Sequence, residues 1–191
     1  MSERDKLCAA VSRIAWGYVL MHFNINIGGL DILPDPVGYL LIYQVLPVLA
    51  QREESAGLLR PLALGLTVWN GITWALNIVG ITITNPVLNI VVSVAGLYFH
   101  FQLLTDLSRC AEDNDCPQSG TLLKLRTVQT VVDTILAVGL YGLDIQAGFV
   151  QNVLTALVVV QLAVVIWLCS TLFSLKKALA ETEDENGWEQ G

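Results

Sequence analysis

The sequence predicts an all-α, polytopic membrane protein whose six transmembrane helices form three hairpins. Three observations carry that prediction. The 191-residue chain is 54% hydrophobic and only 14% charged, where a soluble domain of this size carries about a quarter charged residues. Its apolar runs reach membrane-spanning length and are separated by short polar breaks. All ten Lys and Arg residues fall on alternate breaks, on one side of the expected topology. The transmembrane domain is expected over residues 1–178, with no separate soluble domain. Residues 179–191 read as an acidic, disordered cytoplasmic tail holding Glu181, Glu183, Asp184, Glu185 and Glu189. That tail accounts for much of the net charge of −7, and no basic patch suits nucleic acid.

Span 1 is expected over Leu7–Ile27, with Arg13 near its start positioned to snorkel to the headgroups. Its length, Arg13 and the lack of a small-x-small cleavage site favour a retained span over a cleaved signal peptide. The next stretch, Gly28 to Tyr39, organises the chain. Gly28 and Gly29 suit the C-terminal end of one helix. Pro34 and Pro36 keep the chain extended, Asp35 suits an N-cap, and Pro36 suits the first helical position. Cap and turn chemistry alone explains these aspartates; a functional role is the alternative.

Span 2, Pro36–Arg52, has 17 residues that rise about 25 Å, at the low end for a core of about 30 Å. Pro47 is expected to kink it, and a re-entrant segment is the alternative to a full crossing. Span 3 covers Leu58–Val79. Along it Ala63, Thr67, Gly71 and Ala75 form a small-residue ridge suited to close helix contact. Asn70 and Asn77 share another face, suited to hydrogen bonds across helices.

Span 4 opens with Asn85 as N-cap and Pro86 at the first position and runs to Leu107. His100, between Phe99 and Phe101, reads as a packing or aromatic-belt residue. Arg109–Gly120 reads as a polar loop whose Cys110, Asp113, Asp115 and Cys116 match no zinc or calcium spacing. Span 5 covers Leu122–Tyr141 and span 6 Phe149–Leu175, the latter long enough to tilt. With the basic residues inside, both termini lie in the cytoplasm. Gly29-Leu30-Asp31-Ile32, Gly80-Ile81-Thr82-Ile83 and Gly142-Leu143-Asp144-Ile145 recur at the three outer turns. They suggest a parallel threefold repeat, or simply the glycine and cap preferences of turns.

Few residues carry chemistry. Asp133 lies mid-span with Gln129 and Arg126 one and two turns before it. A carboxyl at that depth is costly, so it is either a proton or cation site or a hydrogen-bonded structural group. His22 and Asn26, one turn apart, are expected to meet Asp31, Asp35 and Asp144 in a polar site at the outer ends of spans 1, 2 and 6. Without a basic residue on that side, these acids suit a bound cation. No catalytic residue set, protein-held cofactor or metal-ligand motif is expected, and neither is an enzyme.

The run from Asp31 to Tyr39, with the DILPD-x-x-GY turn after a first span, resembles a group of small bacterial integral membrane proteins of unknown function. That resemblance implies a bacterial cytoplasmic membrane and no particular activity. Size and topology are similar to the substrate-binding membrane subunits of energy-coupling-factor transporters, although span 1 lacks their clean Ala-x-x-x-Ala contact. Two function classes follow: a small solute or ion transporter or its binding subunit, or an accessory scaffold that docks a partner protein or a second copy. The topology makes a direct prediction. A cysteine at position 33 or 145 reacts with an impermeant thiol reagent from outside the cell, and one at 115 reacts only after permeabilisation; the reverse pattern overturns it.

Overall fold

A computed structural model of the chain describes residues 3–23, 26–27, 30–31, 35–142 and 148–188. They form α1 (Glu3–His22), β1 (Asn26–Ile27), β2 (Leu30–Asp31), α2 (Asp35–Leu49), α3 (Glu54–Ile78), α4 (Pro86–Glu112), α5 (Ser119–Gly142) and α6 (Gly148–Trp188). Apart from the two-residue antiparallel ladder, the described chain is helical. Each helix packs on its neighbours in sequence, and α6 closes the ring against α1.

Side-chain contacts fix the alternation. Ser55 at the start of α3 meets Asp106 late in α4, and Ser108 of α4 meets Ser119 at the start of α5. Gln118, just before α5, meets Ser174 of α6, and Cys8 of α1 meets the Lys176 carbonyl. One end of the ring therefore gathers the start of α1, the α2–α3 and α4–α5 connections and the late part of α6. These are the segments that carry the basic residues.

Local chemistry explains the element ends. Asn85 caps α4 by accepting from the Leu88 N–H at 3.1 Å, with Pro86 in the first position. The end of α3 is a Schellman motif: Ile81 N–H donates to Leu76 O and Gly80 N–H to Asn77 O. Gly80 adopts φ +76°, which glycine takes without strain. Asp115, at φ 54°, turns the α4–α5 connection.

Several boundaries differ from the sequence expectation. The helix expected to reach Ile27 ends at His22, because Asn26–Ile27 pairs with Leu30–Asp31 instead. The expected Arg109–Gly120 loop shrinks to residues 113–118, since α4 runs on through Glu112 and α5 starts at Ser119. The acidic tail, expected to be disordered, is helical through Trp188. Ala178, Leu179 and Ala180 favour helix, and Lys177 and Glu181 pair at 3.4 Å one turn apart.

Two helices, α4 and α6, are long and apolar enough to cross a membrane. Only 17% and 28% of their most apolar windows are buried, unlike the core helices of a soluble protein. α2 is apolar but has 15 residues. α1 and α5 are interrupted by charge (Arg13; Lys124, Arg126 and Asp133), and α3 by Asn70 and Asn77. Large exposed apolar side chains, including Val68, Ile72, Val91, Val94, Val131, Ile135, Val159 and Ile166, cover the outside of the bundle.

The core is lopsided. It fills the end that carries the basic residues, with Leu7, Ile14, Leu46, Leu59, Leu103, Leu107, Leu122 and Leu172 among its members. In α3 nothing beyond Leu66 is buried, and in α4 nothing before Phe99. Among the described residues, the other end of the ring carries no such packing.

The α1–α2 hairpin is also short. A Cβ placed on Gly71 would lie 3.9 Å from Pro36 Cβ, so α2 begins beside Gly71. From that level α3 continues to Ile78, about 10 Å further. The expected ridge on α3 follows this geometry. Ala63 is buried and Thr67 half-buried, donating to the Ala63 carbonyl; Gly71 faces Pro36, and Ala75 is exposed.

The tightest backbone approach lies between α1 and α2. A Cβ on Gly17 would meet Ile42 Cγ1 at 2.8 Å and the Gly38 carbonyl at 2.9 Å; one on Gly38 would meet the Met21 side chain and the Gly17 carbonyl at 2.6 Å. Gly38→Leu is therefore expected to cost about 1–3 kcal/mol or more and to lower folded yield in mild detergent. Gly65→Leu, with nothing within 4 Å, is expected to cost little. Equal yields would show that the two helices do not touch there.

Candidate functional site

Where the packed core ends, His100 of α4 sits between two tyrosine hydroxyls. Its Nδ1 lies 3.1 Å from Tyr18 Oη of α1, and its Nε2 3.3 Å from Tyr39 Oη of α2. A neutral imidazole has one donor and one acceptor nitrogen, so one tyrosine accepts from the ring and the other donates to it. Tyr18 is fully buried and Tyr39 partly so. Aromatic contacts complete the cluster: His22 stacks on Tyr18 at 5.8 Å, and Phe99 meets both Tyr39 and His100. Three helices are thus tied at one point.

Above this knot lies a chamber of about 330 Å³ lined by five of the six helices. His22 comes from α1, Tyr39 from α2, Leu66 and Asn70 from α3, Ser93, Gly96 and His100 from α4, and Asp133 from α5. Asp133 is the one acid among the lining residues, and they include no Lys or Arg. Arg126, two turns before it, is turned away: its Nη1 donates to Thr105 Oγ1 at 3.0 Å and its guanidinium lies 4.4 Å over the Phe101 ring. Gln129 is buried one turn below Asp133.

Two of the lining side chains are oriented by bonds to their own helices. The His22 Nδ1–H donates to the Tyr18 carbonyl at 3.1 Å, which leaves Nε2 of the neutral ring as an acceptor. The Asn70 Nδ2 donates one N–H to the Leu66 carbonyl at 2.8 Å, which leaves Oδ1 as an acceptor and a second N–H as a donor. With the Asp133 carboxyl, the chamber offers acceptors from three helices.

The polar site expected at the outer ends of spans 1, 2 and 6 falls in part outside the described residues. His22 lines the chamber together with residues of α2 to α5. Asn26 and Asp31 are backbone partners in the two-residue ladder. Asp35 opens α2 one turn before Tyr39. Asp144 lies outside the described residues, as does the third of the three recurring turns. Asp133, expected to stand apart, joins His22. His100, expected to be a packing or belt residue, is instead the hydrogen-bonded centre, and Tyr18 and Tyr39 were not singled out.

At the other end, Asp106 is fully buried and accepts from Ser55 Oγ at 2.7 Å and Gln102 Nε2 at 2.8 Å. Arg109 pairs with Glu53 at 3.4 Å across the same junction. These contacts clamp α3 to α4 below the chamber. Burial pushes the Cys110 thiol up to about 12, which keeps it protonated and unreactive. Among the described residues, no group of three or more His, Cys, Asp or Glu is placed to hold a metal ion.

No family model, curated protein or solved structure matches the chain.

Proposed function

We propose that this is a six-span membrane protein of the bacterial cytoplasmic membrane with both termini inside, and that its chamber takes up a small solute from the outer side. It acts as a compact transporter or as the solute-binding membrane subunit of one. The observation that carries this reading is the asymmetry of the bundle: the polar chamber is lined by residues beyond the apolar core, on the side away from the basic end. Exposed apolar surface of this extent suits lipid and does not suit water. A polar cavity at mid-bundle is costly in lipid unless water or a ligand fills it. On the less apolar helices, Asn70 and Asp133 line the chamber and Gln129 is buried, as polar groups of spans in a bundle are, while Gln44, Asn77 and Thr134 are exposed.

Under this reading the helix α2 covers only part of its crossing. Its 15 residues rise about 22 Å, and the hairpin it shares with α1 forms one wall of an outer vestibule.

Labelling at Ser93, which lines the chamber, tests the proposal. In a background with Cys8, Cys110, Cys116 and Cys169 replaced by serine or alanine, Ser93→Cys is expected to react with an impermeant thiol reagent added to intact cells. Ser170→Cys, on the far side of the core, is expected to stay unlabelled until the cells are permeabilised. Labelling of position 93 only from the inside would overturn the orientation, and no labelling from either side would overturn the chamber.

A further inference from the structure

The chemistry of the lining says which solutes the chamber favours. Its charged group is a carboxyl, Asp133, and none of the lining residues is Lys or Arg to neutralise it. The buried Gln129 amide one turn away helps to stabilise the Asp133 carboxylate, but no opposite charge lines the chamber, and a cation held against the carboxylate would supply it. An anionic solute would meet this carboxyl with no opposing charge.

The neutral groups point the same way. The one N–H of the neutral His22 ring is tied to the backbone carbonyl of Tyr18, so its Nε2 is an acceptor, and the Asn70 Oδ1 adds a second set of lone pairs. Lone pairs from α1 and α3, facing a carboxyl from α5, suit a ligand with several N–H donors on one positive centre. The faces of Tyr39, His22 and His100 add aromatic walls that attract a cation.

A bare metal ion fits poorly. No group of three or more metal-binding side chains converges among the described residues. The volume of about 330 Å³ is about ten times the roughly 30 Å³ share of one water. It has room for an organic group of several carbons.

We propose that the chamber binds a small organic ammonium ion, its N–H groups shared by Asp133, Asn70 Oδ1 and His22 Nε2 and its carbon chain lying on the aromatic wall. This rests on the reading of the chamber as a solute site, and the two are separable: thiol labelling asks whether the chamber is open, and ligand charge asks what it prefers.

The test is a set of near-isosteres on the purified full-length protein in mild detergent, read by thermal shift and by titration calorimetry. n-Butylammonium has N–H donors and charge, 1-butanol has the chain without charge, tetramethylammonium has charge without donors, and sodium has charge alone. n-Butylammonium is expected to bind about tenfold or more tightly than 1-butanol, the difference a charge-assisted hydrogen bond makes. It is also expected to exceed tetramethylammonium and sodium. Asp133→Asn should remove the preference for butylammonium over butanol, and Asn70→Ala should reduce it. The comparison of ligands on the unmodified protein does not depend on either variant folding. If 1-butanol matches butylammonium, or if none of the four binds, the ammonium assignment is wrong even where position 93 remains open to label. If tetramethylammonium or sodium matches butylammonium, the shared N–H contacts are wrong.

Discussion

The structure depends on one half-buried imidazole. His100 takes a tyrosine hydroxyl on each ring nitrogen, one from α1 and one from α2. Its position on α4 therefore fixes how deep the α1–α2 hairpin sits. A ring nitrogen packed against other side chains and left unpaired costs its desolvation. Both hydroxyls must stay at the same height as the ring, so the hairpin cannot slide along α4 without breaking a bond. Gly17 and Gly38 permit this arrangement by letting the two backbones of the hairpin come close enough to present both tyrosines side by side.

The asymmetry of the described core follows from that depth. Because α2 starts beside Gly71 while α3 continues to Ile78, the helix α2 does not reach the far end of α3. The far halves of α3 and α4 hold no buried residues among those described, and the polar chamber lies at their base. On the basic side of the knot, leucine packing and the Ser55–Asp106–Gln102 network fill the bundle. The difference between the two ends comes from the length of one helix.

Much of the helical frame was legible in the sequence. Asn85-Pro86 marked the start of α4, the Asp35-Pro36 pair marked α2, and Gly80 marked the end of α3, because cap chemistry is local. The helices α4 and α6 run further than the sequence suggests, because polar residues that suit a loop or tail extend a helix when they fall in helical phase. Asp133 and His22 stood out singly as polar groups in apolar runs. The knot did not, since its members are separated by 61 and 82 residues and no periodicity links them. His100 between two phenylalanines reads as packing until the hydroxyls facing it are seen. The ridge on α3 was conspicuous by its spacing, yet the closest backbone approach fell on Gly17 and Gly38, which lie on different helices and form no motif in either.

The central claim is that Tyr18 and His100 are energetically coupled, and a double-mutant cycle measures this directly. Tyr18→Phe, His100→Leu and the double variant are compared with the unmodified protein by reversible unfolding in mixed micelles. Tyr18→Phe strands the His100 Nδ1 and His100→Leu strands both tyrosine hydroxyls, each stranded group costing about 1–3 kcal/mol, while the double change strands the Tyr39 hydroxyl alone. The double variant is therefore expected to lose less stability than the two single losses combined, by about 1 kcal/mol or more. Losses that add to within about 0.5 kcal/mol would contradict the account, because His100 would then not be the group that sets the depth of the hairpin.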